Sequence, residues 1–306
     1  MNDLPKIRIE KDLEQEVNIF SIFLNNPVYP QNRNFIFKVF PKLELQLKTS
    51  KDEKTVIQKF VVAFRRKNKK IIEQIIKENE ILIDKKWSEA IKALASLMDY
   101  SWFQPIVYKA IPTILPFSPL GDNMFYFSIL GQIKSILNHS LPIETKKQNT
   151  KDILYTAIHE ISHFIFYDIL RKIEEESKSP PIENNLRNYL KEALAVVLLN
   201  HEPLCAILNL HNYTGNPELC DLQIKKQNGE ILKFTDFLQE AYQNSRINKK
   251  ETFQIFLQGI LGILLPLSKE FSIKREIWNR FGKELSKNPE ILKTYQYPIQ
   301  LKKEQG

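Results

Sequence analysis

The chain is poor in cysteine, glycine and histidine. It has 2 cysteines in 306 residues, Cys205 and Cys220, and they do not form a C-x-x-C pair. That excludes a densely disulfide-stapled scaffold and suits a reducing compartment with two ordinary thiols, although a single Cys205–Cys220 bridge stays open. Residues 1–6 show no basic stretch leading into an apolar one, so no secretory signal is expected and the expected location is cytoplasmic. Long hydrophobic runs are missing too. The longest, residues 255–267, is about half the length of a membrane span. It is interrupted by Gln258, Gly259, Gly262 and Pro266, which predicts a buried core helix and no transmembrane segment. The densest basic cluster, residues 65–70, has no interleaved aromatics to stack on bases. It therefore predicts a solvated bend between helices and no nucleic-acid partner. Charge is not strongly of one sign: 44 basic against 36 acidic residues leave +8, a mild excess that a lysine-rich composition produces without any partner.

What is present is a large apolar fraction, 43% hydrophobic and 11% aromatic, enough to bury a sizeable core in two or three subdomains. With only 8 glycines and much Leu, Ile, Lys and Glu, the expected class is α+β and mainly helical. Leu43, Leu45 and Leu47 alternate with polar residues, and Phe35, Phe37 and Val39 continue the alternation upstream. A period of two predicts strands, with Pro41 at an edge or bulge. Helical spacing then appears in Val56, Ile57, Phe60, Val61 and Phe64, and again in Ile71, Ile72, Ile75 and Ile76, which predicts a helical hairpin. A further helix is expected from Trp87 to Met98. Pro112, Pro116 and Pro119 predict an irregular boundary, followed by a short strand over residues 124–130 that is either buried or an edge able to pair with an extended peptide.

The chemistry-bearing stretch is His159-Glu160-Ile161-Ser162-His163, an H-E-x-x-H motif in an apolar run. Residues four apart share a helix face, so His159 and His163 can offer two imidazole nitrogens to one zinc ion, with Glu160 beside it as a general base. The helix should start near Asn149, Thr150 and Asp152 and run from about Lys151 to Lys172. Its apolar face predicts burial, and burying two imidazoles and a carboxylate costs free energy unless a cation or local hydrogen bonds meet them. A zinc site needs a third protein ligand. After Pro180 and Pro181 a second helix should begin near Ile182 and carry Glu192 inside Tyr189-Leu190-Lys191-Glu192-Ala193-Leu194-Ala195. Glu183 is an alternative at the helix start, without a surrounding motif. His201 and His211 suit loop or capping roles, and His139 has no ligand-like spacing.

The two motifs together, H-E-I-S-H and then Y-L-K-E-A-L-A, resemble those of the gluzincin metallopeptidases. The resemblance implies Zn2+ held by His159, His163 and Glu192, with Glu160 as general base, in a core with a small β-sheet, an active-site helix and a helical C-terminal lobe. Tyr189 stands where tryptophan is common in that family and Ala193 where glycine is common. Ala241-Tyr242-Gln243-Asn244-Ser245 resembles a segment in which a tyrosine hydroxyl assists the oxyanion. That implies a catalytic Tyr242; a core tyrosine is the other reading, and Tyr213 competes for the role. Gly121-Asp122-Asn123-Met124 does not match an aminopeptidase G-x-M-E-N run.

The expected organisation is residues 1–118 as a strand and helical region, 119–220 as a zinc-binding catalytic core and 221–306 as a lobe opening on the Asn228-Gly229 hairpin. Thr235 or Asp236 should cap the helix that follows, residues 237–243. The expected activity is zinc-dependent hydrolysis of a peptide or protein substrate. The alternatives are an inactive metallopeptidase-like fold used for binding and a basic helical interaction protein in which the motif is coincidental. The sequence sets no oligomeric state.

Overall fold

The computed structural model describes residues 4–26, 30–121, 124–137, 152–178 and 181–301. Helices make up most of the described chain, with two small sheets, so the class is α+β and mainly helical. By contacts the chain divides into two units, Met1–Ile91 with Trp102–Glu160, and Lys92–Ser101 with Ile161–Gly306. The dividing points fall inside two helices, α5 (Lys69–Leu97) and α7 (Ile153–Ser177).

In the first unit β1 (Lys6–Ile9) leads to α1 (Leu13–Asn25), α2 (Pro30–Val39), α3 (Pro41–Thr49), α4 (Glu53–Lys67) and most of α5. Strands β2 (Val107–Thr113), β3 (Leu120–Gly121) and β4 (Met124–Ser128), helix α6 (Leu130–Leu137) and the start of α7 complete it. The strands expected over residues 35–48 are helices instead. The buried residues there are Ile36, Phe40 and Leu43, at helical spacing, while Leu45 is 65% exposed. Pro41 sits in the first turn of α3, where its missing N–H costs nothing. Helices α4 and α5 form where the helical spacing lies, with Asn68 between them, but the helix expected from Trp87 is a continuation of α5, because no glycine or proline interrupts residues 69–97.

The sheet has the order β1-β2-β4-β3, parallel between β1 and β2 and between β2 and β4. Pro112, expected to exclude an inner strand, is the next-to-last residue of β2, where the ladder is about to end. Nor is β4 an open edge: β3 pairs with it, the N–H of Tyr126 donates to the carbonyl of Pro119 at 2.9 Å, and the N–H of Ser128 donates to Oγ of Ser118 at 3.1 Å. The basic bend is also not wholly solvated. Arg65 turns inward and pairs with Glu16, which is fully buried and accepts the N–H of Ile114 at 2.8 Å.

The second unit is built around α8 (Asn184–Leu199), whose Tyr189, Leu190, Ala193, Leu194 and Leu199 are buried. After α9 (Leu204–Leu208) and α10 (Pro217–Cys220), the expected hairpin forms from β5 (Gln223–Lys225) and β6 (Ile231–Lys233). Gly229 supplies the positive φ of 90° that its turn requires. A third strand, β7 (Ile299–Gln300), joins β5 in parallel. Helix α11 (Phe234–Tyr242) starts without a side-chain cap, so neither Thr235 nor Asp236 plays that part. A π-helical turn (Gln243–Asn248) follows, then α12 (Phe253–Leu264), α13 (Ser268–Phe281) and α14 (Pro289–Gln296).

A 3-10 turn over Leu265–Leu267 takes up Pro266 and joins α12 to α13. Phe253–Phe281 is thereby one helical run, long and apolar enough to cross a membrane, with a mean hydropathy of 1.3 over its most apolar window and 39% of that window buried. The proline that shortened the expected run is absorbed by the tighter turn. Phe253, Phe256, Leu257, Ile260 and Leu264 are buried, whereas Ile255, Ile263 and Leu265 on the same run are exposed.

Candidate metal centre

The helix that carries the motif is fixed at its start by side chains. Asn149 and Thr150, expected there, lie outside the described residues. Asp152 provides the cap, its Oδ1 accepting the N–H of Tyr155 at 2.8 Å, and the N–H of Ile153 donates to Oδ1 of Asn79 at 3.1 Å. These bonds satisfy first-turn donors that a helix leaves open. Burial pushes the Asp152 carboxyl up, while the N–H groups of Tyr155 and Leu154 hold it down. With no glycine or proline to stop it, α7 runs to Ser177, beyond the expected Lys172. Ile158, Ile161, Ile165 and Phe166 are buried, as the apolar pattern requires.

Within two turns of this helix, His159, Glu160 and His163 offer ligand atoms that all lie within 4.8 Å of one another. Glu160 is 6% exposed and His163 1%. The ring of Tyr155, one turn earlier, stacks on that of His159 with centroids 6.2 Å apart. Two imidazoles and a carboxylate in an apolar setting make a donor set of the kind zinc takes.

Glu192 approaches from α8. Glu183 starts that helix, its Oε2 accepting the N–H groups of Asn185 at 2.8 Å and Leu186 at 3.0 Å. It is a helix cap and is separate from the histidines' group. About two and a half turns on, α8 brings Oε1 of Glu192 to 3.4 Å from Nε2 of His163. Two ligand atoms that each sit about 2.0–2.1 Å from one tetrahedral ion stand about 3.3–3.4 Å apart, so this separation fits two neighbouring zinc ligands. Glu192 does not belong to the 4.8 Å group on α7; its contact is with His163. Oε1 also meets Nζ of Lys191 at 2.8 Å, and Oε2 accepts from Nδ2 of Asn216 at 3.0 Å.

The remaining expectations resolve differently. The ring of Tyr242 is 1% exposed, burial pushes its phenol up, and its hydroxyl donates to the carbonyl of Leu97 at 3.0 Å. The one proton of the phenol is thus engaged by a core carbonyl. His201 lies edge-on to Tyr242 with centroids 5.6 Å apart, and its Nδ1 meets the carbonyl of Glu202. Tyr213 pairs through its backbone with the side chain of Asn200 and, with His211, lines a cavity of about 660 Å³ beside α8. His139 lies outside the described residues. Two neighbours of Glu192 were not legible as such: Lys191 adjoins it in sequence but an adjacent residue normally faces elsewhere on a helix, and Asn216 reads only as the start of the Pro217 helix.

Compared with protein-family models, with curated proteins and with solved structures, the chain matches none.

Proposed function

We propose that the chain is a zinc-dependent metallopeptidase of the gluzincin type, with His159, His163 and Glu192 holding the ion and Glu160 as general base. The observation that carries the reading is the 3.4 Å separation of His163 Nε2 and Glu192 Oε1, two ligand types brought together from separate helices at the spacing of a tetrahedral site. A zinc ion held there would supply Lewis acidity at the scissile carbonyl and would bring the pKa of water down to about 7. Glu160 adjoins His159 in a buried position, accepts the proton that the attacking water loses and delivers it to the leaving amine. The apolar wall of α7 keeps bulk water from these groups and so strengthens their electrostatic interactions.

A second reading, a metal-retaining fold that binds without hydrolysing, is favoured by the engagement of Tyr242 with Leu97, which leaves the oxyanion without that donor. One experiment separates them. Elemental analysis of the purified chain should find one zinc per chain, and a mixed peptide library should be cleaved in a chelator-sensitive way. Glu160→Gln should keep the zinc and lose about 10²–10⁴ in turnover. Zinc without turnover in the parent chain selects the binding fold, and a chain without zinc overturns both.

A further inference from the structure

We propose that Asn216 is the positioning residue that aims Glu192 at the metal, an inference that rests on the ligand set proposed above. Glu192 and Val196 on α8 and Asn200 at its C-cap are spaced four apart and lie one above another on a single face. Residues 213–216 run along that face and meet it at each of these positions. At the far end Asn200 clamps Tyr213 from both sides, its Nδ2 donating to the Tyr213 carbonyl at 2.7 Å and its Oδ1 accepting the Tyr213 N–H at 2.8 Å. In the middle Gly215 adopts φ +72°, and a Cβ there would stand 2.4 Å from Cγ2 of Val196. Only glycine allows this approach. At the near end Nδ2 of Asn216 reaches Oε2 of Glu192 at 3.0 Å.

Asn216 is also the residue before α10, where an asparagine side chain ordinarily accepts an N–H from the first turn. Here it makes no such bond, and its amide donates to Glu192 instead. The consequence is orientation. With Oε2 held from one side, the carboxylate plane is fixed and Oε1 is the oxygen presented to His163 Nε2. Without that hold Oε2 loses this donor, and Lys191 remains as a competitor for Oε1. Partners of this kind orient ligands and raise metal affinity without touching the ion.

The test measures zinc affinity by competition with a chromophoric chelator in the parent chain, Asn216→Ala and Gly215→Ala, with the visible d–d spectrum of the cobalt(II)-loaded proteins as a second readout. Asn216 is exposed and makes no capping bond, so its alanine variant should keep the parent's unfolding midpoint in the metal-free state. It should bind zinc about 10–100-fold more weakly and show an altered cobalt spectrum. Gly215→Ala should weaken zinc in the same direction by moving the strap off Val196. Parent-like zinc affinity and cobalt spectrum in Asn216→Ala overturn this inference alone. A parent chain that binds no zinc overturns the proposed ligand set and this inference with it.

Discussion

The hydroxyl of Tyr242 and Nη2 of Arg246 both donate to the carbonyl oxygen of Leu97, at 3.0 Å and 3.3 Å, so the last residue of α5 is held by two donors, one at the end of α11 and one inside the π-helical turn. Arg246 is further fixed by Asp99 at 2.6 Å. Removing the phenol therefore leaves the carbonyl with a partner. Tyr242→Phe is expected to cost about 0.5–1.5 kcal/mol in chemical denaturation, the net worth of one hydrogen bond. It should leave peptide turnover unchanged, whereas loss of an oxyanion donor costs about 10²–10³. Such a loss of turnover at unchanged stability would place the hydroxyl in the reaction after all.

Glu183 and Glu192 lie on one helix and do different work, and two alanine variants separate them. Glu183→Ala removes the acceptor of two first-turn N–H groups and should destabilise the fold by about 1 kcal/mol while zinc content stays at the parent level. Glu192→Ala should lose the zinc. A Glu192→Ala chain that retained zinc as tightly as the parent would reverse the assignment.

The motif helix and the hairpin were legible because each is fixed by local chemistry: the apolar face of α7 follows a helical period, and Asn228-Gly229 offers the positive φ that its turn needs. The strand expected around Leu43, Leu45 and Leu47 failed because three alternations are also compatible with a helix in which only Leu43 faces inward, alongside Ile36 and Phe40. Long-range pairings were not legible at all. Arg65 looks like part of a solvated basic run until the fold places Glu16 against it, 49 residues away in sequence. Asn216 looks like a helix start until residues 213–216 lie along α8. At the site, sequence spacing identified both helices and the resemblance singled out Glu192 over Glu183, but the contact of Glu192 with His163 depends on how α8 rotates, which no local pattern encodes.

The Arg65–Glu16 pair carries its own prediction. Glu16 is fully buried, burial pushes its carboxyl up, and the Arg65 guanidinium opposes that shift. Arg65→Met would leave the carboxylate buried without its cation and should destabilise the fold by about 3–5 kcal/mol near neutral pH. The double variant Glu16→Gln, Arg65→Met should recover much of that loss. A deficit in the double variant as large as in Arg65→Met would show that packing by the arginine stem, rather than the uncompensated charge, carries the effect.

Lys274 sets a pH dependence of opposite cause. Its Nζ donates to the carbonyls of Thr294, Tyr295 and Tyr297 at 2.8, 2.6 and 2.6 Å, tying α13 to the end of α14, and burial pulls its pKa down to about 8. The unfolded chain keeps the ordinary lysine value of 10.5. Between about pH 8 and 10.5 the unfolded state therefore binds a proton that the folded state has released, and stability must rise with pH, by up to about 1.4 kcal/mol per unit. Tyr295, whose ring lies 5.7 Å from Nζ, is pushed up by burial and stays neutral in the folded state through that range. Other titrations are common to the parent and to Lys274→Met, so the difference between their unfolding free energies isolates the lysine. The parent should gain on the variant from pH 8 to pH 10. A difference that stayed flat across the range would mean that the three carbonyls hold the ammonium charged and cancel the effect of burial.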